Sequence, residues 1–250
     1  MPGLVRIGVG GWTFEPWRGV FYPPGLKQSR ELEFASRALT SIAINGTYYS
    51  TFKPPNWQVW RDSTPDGFVF AVKASRYCTN RRVLAEAGAG IERFVAQGLT
   101  LLGDKLGPIN WQFMPTKAFE IEDFAAFLGL LPKKKDGIRL RHAVEVRHES
   151  FTTQAFYDLA RKHEVAIVCA LDEEFPEIDQ PTADFTYARL MSTRENLRQG
   201  VTDAQLRRLL GRIKTWAQRG DVFAYFISGA KVRNPAAAQA LMARIEKAGA

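Results

Sequence analysis

The sequence predicts a closed, eight-stranded α/β barrel of the TIM type, (β/α)8. The first observation is its length, because 250 residues is the usual size of such a barrel. The second is a series of eight short apolar, β-branched or aromatic runs that are strand candidates. The third is the helical spacing of apolar residues between these runs, since strands that alternate with helices form parallel sheets. No linker-like segment divides the chain, so we expect one domain over residues 1–250.

The predicted strands are separated by stretches long enough to hold helices. They are Val5–Gly10, Ile42–Asn45, Phe68–Val72, Ile109–Phe113, Ala143–Val146, Ala166–Leu171, Thr186–Leu190 and Val222–Phe226. The clearest helix is Asp203–Trp216, whose leucines lie on one stripe and whose arginines lie off it. The segment between Leu171 and Thr186 contains Pro176 and Pro181 and is too short for a full helix. We therefore expect an irregular barrel between strands six and seven.

The composition excludes several classes of protein. Apolar residues make up 46% and charged residues 24% of the chain, which is normal for a globular protein. No apolar run approaches the roughly 20 residues of a membrane-spanning helix, and no charged leader precedes an apolar block. Two cysteines, Cys78 and Cys169, are too few for a zinc site or a disulfide framework. We expect a cytoplasmic protein with reduced thiols, no membrane partner and no cofactor.

Polar side chains follow the ends of almost all the predicted strands. Barrel sites lie at the C-terminal ends of the strands, where side chains alternate between the interior and the helix layer. The last inward residues are predicted to be Trp12, Asn45, Lys73, Gln112, Glu145 with Arg147, Asp172, Arg189 and Ser228. Earlier inward positions are predicted to be small and to leave room beneath: Gly8, Gly10, Ala43, Ala71, Ala143, Ala170 and Ala224. The pattern predicts a polar pocket, with a ring of stabilising ion pairs as the alternative.

The candidate catalytic residue is Glu145, for which three roles stay open. It would serve as a general base, as a metal ligand or as the ion-pair partner of Arg147. Residues i and i+2 of a strand lie about 6.6 Å apart along the backbone, so pairs across the barrel are expected in preference to a Glu145–Arg147 pair. His148, which follows in the next loop, is either a proton carrier or a loop hydrogen-bonder.

The charges of the predicted rim favour an anionic ligand. Lys73, Arg147 and Arg189 supply three positive charges against two carboxylates, Glu145 and Asp172. Such a balance suits a carboxylate or a phosphate group. A hard divalent cation needs several oxygen ligands, for which these cations would compete. We therefore predict no tightly bound metal.

The net charge of +8 raises a second hypothesis. The basic residues fall on separate surfaces, such as Lys133–Lys135 before strand five and the arginines of Asp203–Trp216. Charges spread in this way are typical of solvated faces. The alternative is a non-catalytic module that binds nucleic acid or protein through its basic surface.

Several motifs along nearly the whole chain resemble those of the YecE-like family, catalogued as domain of unknown function 72. They are Ile7–Trp12, Trp17–Pro23, Ile44–Tyr49, Phe68–Ala74, Leu102–Pro108, Gln112, Glu145–Phe151 and Tyr187–Leu190. The resemblance implies a TIM-type barrel. It implies no reaction, because the activity of the family is not established.

The chain also departs from the pattern of that family. Ala43 replaces a typical Glu, Asn80 replaces a His, and Ser228 replaces an Asn. Pro-Pro becomes Met114-Pro115, and His-Gly becomes Met191-Ser192. The resemblance then implies a diverged member, in which any chemistry that depends on those groups is weakened and the ligand is changed.

The predicted function is the binding, with or without turnover, of a small anionic or sugar-like ligand. Glu145 would be the base or the anchor, while Arg147, Arg189 and Lys73 would hold the anion. Asn45 and Gln112 would form hydrogen bonds, and Trp12, His148 and Asp172 would complete the lining.

Overall fold

The computed structural model describes residues 2–249 and contains a twisted parallel sheet surrounded by helices. The sheet strands are β1 (Val5–Gly10), β2 (Ser41–Ile44), β3 (Val69–Lys73), β4 (Leu106–Gln112), β7 (His142–Glu145), β8 (Ala166–Ile167), β9 (Cys169–Leu171), β10 (Phe185–Leu190) and β11 (Asp221–Phe226). A separate hairpin pairs β5 (Lys134–Lys135) with β6 (Ile138–Arg139).

The sheet order shows how the barrel closes. It runs β8-β7-β4-β3-β2-β1-β11-β10-β9, and every neighbouring pair is parallel. Only Val168 separates β8 from β9, so the two edge strands are halves of one interrupted strand. The sheet thus returns on itself, and within residues 2–249 it has the eight strand positions that the sequence predicts. This confirms the TIM-type α/β barrel.

The helices alternate with the strands along the chain, and the last helix follows β11. They are α1 (Glu31–Ala38), α2 (Pro54–Asp62), α3 (Arg76–Thr79), α4 (Gly88–Val95), α5 (Ile121–Gly129), α6 (Gln154–Lys162), α7 (Asp203–Ala217) and α8 (Asn234–Lys247). Short 3-10 segments cover Glu15–Trp17, Gln28–Arg30, Gly46–Tyr48, Leu84–Ala87, Leu99–Lys105, Glu149–Phe151 and Lys231–Arg233. None of the helices in residues 2–249 is both long enough and apolar enough to span a bilayer.

The irregularity expected between strands six and seven is confirmed. Residues 172–184 form no helix, and the chain instead returns to the sheet through bends and extended segments. The break in the strand itself, at Val168, was not expected from the apolar run. The Val168 amide bonds across to Val144, while the next strand half pairs with β10.

Two further elements differ from the prediction. β4 begins at Leu106, three residues before the predicted start, and includes Gly107 and Pro108. A Cβ at Gly107 would lie 2.7 Å from the carbonyl oxygen of Phe70, so glycine permits this close strand approach, and the β3–β4 register shifts there. The small hairpin was also unexpected; Asp136 and Gly137, both with positive φ, form its turn.

Large aromatic residues fill the inside of the barrel opposite small ones. Ala43, Ala71 and Ala143 share the inner cluster with Tyr187 and Tyr225, whose ring centroids are 5.2 Å apart. The prediction that Ala224 faces inward is wrong, because Ala224 belongs to the outer cluster and its neighbours Phe223 and Tyr225 face in. The expected room beneath the rim is therefore filled by aromatic side chains, as close packing of an interior requires.

Candidate functional site

The C-terminal end of the barrel carries a cluster of charged and polar side chains, here named the cationic mouth: Lys73, Gln112, Glu145, Arg147 and Arg189. Lys73 and Gln112 end β3 and β4, Glu145 ends β7 two residues before Arg147, and Arg189 is the second-last residue of β10. Gln112 and Glu145 are direct partners in the β4–β7 register. Alternation along parallel strands points all of them inward at the same end.

Glu145 is the buried anion at the centre of the mouth. Its side chain is 1% exposed. Its Oε1 accepts hydrogen bonds from Nε (3.0 Å) and Nη2 (2.7 Å) of Arg147 and from Nη1 of Arg189. Its Oε2 accepts one from Nδ2 of Asn110 at 2.9 Å. Both carboxylate oxygens are therefore engaged, one of them by two guanidinium groups.

Gln112 is the point at which the three cations meet. Its side-chain oxygen accepts hydrogen bonds from Nζ of Lys73 (2.7 Å), Nη2 of Arg147 (3.0 Å) and Nη1 of Arg189 (3.1 Å). This neutral amide oxygen positions the three cations by accepting their hydrogen bonds, but it carries no charge to balance theirs. In the residues that the structure describes, Glu145 is the sole carboxylate that forms an ion pair with any of these three cations.

Aromatic rings flank two of the cations. Nζ of Lys73 lies 4.4 Å from the centroid of the Tyr48 ring, and the guanidinium carbon of Arg147 lies 4.5 Å from that of Phe175. A cation over a ring face is held by the ring quadrupole. Tyr48 comes from the turn after β2 and Phe175 from the irregular loop after β9, so loops from opposite sides of the barrel complete the mouth.

The cluster changes the ionisation of two of its members. Burial opposes the charged form of Glu145, but Arg189, Arg147 and Lys73, with the Asn110 hydrogen bond, lower its pKa to about 2. Burial, together with Arg189 and Arg147, lowers the pKa of Lys73 to about 8, although the attraction of Glu145 opposes this. Glu145 is therefore an anion near neutral pH, whereas Lys73 titrates near pH 8.

The structure contains the Glu145–Arg147 pair, which the strand spacing made less expected than pairs across the barrel. Arg147 follows the last residue of β7, so its backbone is free of the sheet, and its side chain returns along the strand to reach Glu145. The predicted cross-barrel pair is also present, between Arg189 and Glu145. A long, flexible side chain thus overcomes the backbone separation on which the expectation was based.

The structure places the other predicted residues outside the contacts of the mouth. Asp172 accepts a hydrogen bond from the Glu174 amide and lines a cavity of about 350 Å³ beside α7. In residues 2–249 it pairs with none of the three cations. Nδ1 of His148 bonds both the amide and the hydroxyl of Ser150, so His148 caps a turn.

A second cavity, of about 380 Å³, contains Trp12 and Asn45, with Trp60, Phe52 and Lys231 among its other lining residues. Trp12 packs edge-on against Trp60 at 5.2 Å. This cavity lies at the ends of β1 and β2, on the same face of the barrel as the mouth but away from the contacts of Glu145.

The three departures Ala43, Asn80 and Ser228 occupy different environments. Ala43 is buried in the inner cluster. Asn80 is exposed and accepts a hydrogen bond from the Tyr48 hydroxyl at 3.4 Å. Ser228 is not an inward strand residue, because it is exposed in a turn with φ of 65°. The inward residues of β11 are Phe223 and Tyr225, and Ile227, directly after the strand, belongs to the same inner cluster.

The described part of the chain also contains no group of three or more His, Cys, Asp or Glu side chains arranged to hold a metal ion. Cys78 and Cys169 are buried, and burial raises their pKa values to about 11 and about 12. Both thiols are therefore protonated near neutral pH and unreactive.

Asn110, Tyr48 and Phe175 contact the mouth and were not predicted as site residues. Strand alternation would have identified Asn110, which lies two residues before Gln112 and faces the same way. Tyr48 and Phe175 lie in loops, where no periodicity indicates which way a side chain points.

Comparisons with known proteins agree on the family. A family model described as "Protein of unknown function DUF72" matches residues 6–250. A DUF72 family protein from Thermotoga maritima is 23% identical, with a TM-score of 0.78 over 97% of this chain and 99% of that one. One from Enterococcus faecalis V583 is 15% identical, with a TM-score of 0.73 over 98% and 96%.

A more distant structure is a xylose isomerase-like TIM barrel/4-hydroxyphenylpyruvate dioxygenase fusion protein. It is 13% identical, with a TM-score of 0.57 over 99% of this chain and 45% of that chain. This likeness shows a shared barrel fold alone. No curated protein matches the chain. The family match, which extends over nearly the whole sequence, shows that the chain belongs to the DUF72 family, whose function is unknown.

Proposed function

We propose that the cationic mouth binds a small ligand through a phosphate or carboxylate group. The observation that carries the proposal is the meeting of Lys73, Arg147 and Arg189 on one neutral oxygen, that of Gln112. The contacts supply one carboxylate, Glu145, for three cations. With Lys73 protonated, the cluster carries two uncompensated positive charges, and partly buried charges need partners.

The hydrogen-bonding groups of the mouth favour the same class of ligand. Lysine and arginine side chains are donors only, and both oxygens of Glu145 already accept bonds. Any ligand at the mouth must therefore bring acceptors. Planar guanidinium groups fit the paired oxygens of carboxylate and phosphate groups, which combine acceptors with negative charge.

Glu145 acts in this proposal as an anchor and not as a general base. Its pKa of about 2 makes it a poor proton acceptor near neutral pH. Its contacts instead orient the two guanidinium groups toward the mouth, with Asn110 on the other carboxylate oxygen. No resident cofactor is part of the proposal.

The experiment is calorimetric titration of the protein with inorganic phosphate, sulfate and citrate at constant ionic strength. Arg147→Gln should weaken binding by about 10- to 100-fold, since a hydrogen bond to a charged group contributes roughly 1.5–3 kcal/mol. The matched control is Arg141→Gln at the opposite end of the barrel. Arg141 also pairs with a carboxylate, Asp221 at 3.0 Å, and stacks on a ring, Phe223 at 4.7 Å.

Saturable binding that Arg147→Gln weakens and Arg141→Gln leaves intact would support the proposal. An absence of saturable binding, or equal losses in both variants, would contradict it. If both variants lost anion binding equally, and the protein were retained on heparin with a steep dependence on salt concentration, the basic surface would be assigned to nucleic-acid binding instead.

A further inference from the structure

We infer that Lys73 is a reactive amine, which condenses with the carbonyl carbon of a ligand whose phosphate or carboxylate is held by Arg147 and Arg189. The inference rests on the proposed anion site and extends it from binding to covalent chemistry. It specifies the ligand class as small aldehydes, ketones or keto acids that carry an acidic group.

The placement of the Lys73 amine is the first argument. Its Nζ contacts the Gln112 oxygen at 2.7 Å and the face of the Tyr48 ring, and its side chain is partly exposed at the mouth. Among residues 2–249 no carboxylate lies within ion-pair distance of this Nζ, because Arg147, Arg189 and Asn110 take the oxygens of Glu145. The amine is therefore held in position without being neutralised by an acid.

The protonation of Lys73 is the second argument. With burial and two guanidinium groups lowering its pKa to about 8, roughly a tenth of the Lys73 side chains are uncharged at pH 7. An ordinary lysine is uncharged in fewer than about one molecule in a thousand at that pH. Lowering the pKa of a lysine near other cations is an established way of making it nucleophilic.

Other lysines lack this combination. Lys105 is buried and donates to the carbonyl oxygens of Arg61 and Thr64 at 2.8 and 2.6 Å. Lys231 resembles Lys73 more closely: its Nζ lies 4.0 Å from the centroid of a ring, that of Phe14, and burial lowers its pKa. No guanidinium group is among the causes of the shift at Lys231, so it serves as an internal comparison.

The reaction needs no oxidant or reductant. The lone pair of the neutral amine attacks the carbonyl carbon, a C–N bond forms as the C–O π bond breaks, and a proton passes from the nitrogen to the oxygen to give a carbinolamine. A second proton, taken from solvent, lets that oxygen leave as water as the C–O bond breaks, and the nitrogen lone pair forms the C=N bond of a positively charged iminium at Lys73. The iminium product keeps a positive charge at the position of the lysine ammonium. Arg147 and Arg189 would hold the acidic group of the ligand beside it.

The test compares two probes that differ by one phosphate group, pyridoxal 5′-phosphate and pyridoxal. Wild-type protein is incubated with each probe and reduced with borohydride, and the modified lysines are found by peptide mass spectrometry. We expect the phosphorylated probe to modify Lys73 at least 10-fold faster than pyridoxal does, and faster than it modifies Lys231. Inorganic phosphate should protect Lys73, and the rate at Lys73 should level off above about pH 8.

Two variants sharpen the test. Arg147→Gln should slow modification of Lys73 by pyridoxal 5′-phosphate while leaving the slow reaction with pyridoxal. Lys231→Arg should leave the modification of Lys73 as in the wild type. Because the site of modification is mapped in wild-type protein, a variant that fails to fold does not affect the result.

The outcomes separate this inference from the anion site. Saturable phosphate binding without preferential modification of Lys73 would overturn the reactive amine and leave the anion site standing. Equal modification of Lys73 by both probes, without protection by phosphate, would overturn the anion-directed chemistry and the proposed function together. Preferential, phosphate-protected modification of Lys73 would support both.

Discussion

The two ends of the barrel carry similar basic side chains and neutralise them differently. At the N-terminal end three cations each have an acid of their own, in the pairs Lys133–Glu164, Arg139–Asp184 and Arg141–Asp221. At the C-terminal end three cations share the single carboxylate of Glu145. These three N-terminal pairs are balanced locally, whereas the mouth has one carboxylate for three cations. The end that we propose to bind a ligand is distinguished by its excess of cations over carboxylates, more than by its number of arginines.

Arg141 and Arg147 make the comparison quantitative. Their side chains are 23% and 17% exposed, and each pairs with a carboxylate and lies over a phenylalanine ring. They differ in their neighbours, because Arg147 shares its carboxylate and an amide oxygen with other cations. If Arg147→Gln and Arg141→Gln change ligand binding by different amounts, the difference is therefore due to the cluster around Arg147. Loss of an arginine alone would affect both variants equally.

The largest expected effect is on stability when the shared carboxylate is removed. Glu145→Gln leaves buried cations without their anion and should lower the free energy of unfolding by about 3–5 kcal/mol. Asp221→Asn at the other end should lower it by less than about 1 kcal/mol, because its pair is partly exposed. Urea unfolding at pH 7 measures both. Similar losses in the two variants would remove the distinction between the ends.

The next largest effect is a loss of stability in acid, in two separate pH ranges. One range is due to His142 at the N-terminal end of the barrel and the other to Glu145 at the C-terminal end. His142 begins β7; its Nδ1 accepts a hydrogen bond from Trp111, and burial lowers its pKa from 6.5 to about 4. Its stabilising contribution is present above pH 6.5 and lost as the pH falls toward 4. The depressed pKa of Glu145 stabilises the fold above about pH 4.5, and this contribution is lost as the pH falls toward 2.

Unfolding free energies measured from pH 7 to pH 2 test this prediction. His142→Gln should remove the fall between pH 6.5 and 4, and Glu145→Gln should reduce the fall below pH 4.5. If either variant changed both ranges alike, the two ends would not titrate independently.

The smallest effect is an alkaline one at Lys73, which is more exposed than Glu145 or His142. Its folded pKa of about 8 lies below the ordinary 10.5, so the native state loses this charge first. Between pH 8 and 10.5 the unfolded chain holds the extra proton, and the Lys73 contribution to stability rises with pH. The difference in unfolding free energy between wild type and Lys73→Met across this range isolates it. A constant difference would show that Lys73 keeps an ordinary pKa.

Strand alternation located part of the mouth from the sequence and failed at identifiable places. Lys73, Gln112, Glu145 and Arg189 lie within or at the ends of regular strands, where a period of two fixes the direction of a side chain. Asp172 lies past the end of its strand, in an irregular loop, where that period no longer applies. Its predicted place among the cations therefore remains a prediction without support in the observed contacts.

The amino-acid sequence was enough to predict the eight strand positions of the barrel, their order along the chain and most of the polar residues that end them, because hydrophobic periodicity is a local property of the chain. The sharing of the charges, in contrast, depends on the folded barrel. Gln112, Glu145 and Arg189 are far apart in sequence, and the curvature of the closed sheet brings them within hydrogen-bond distance. Packing likewise decided that Tyr187 and Tyr225 fill the interior, because large side chains on one wall fit against alanines on the other.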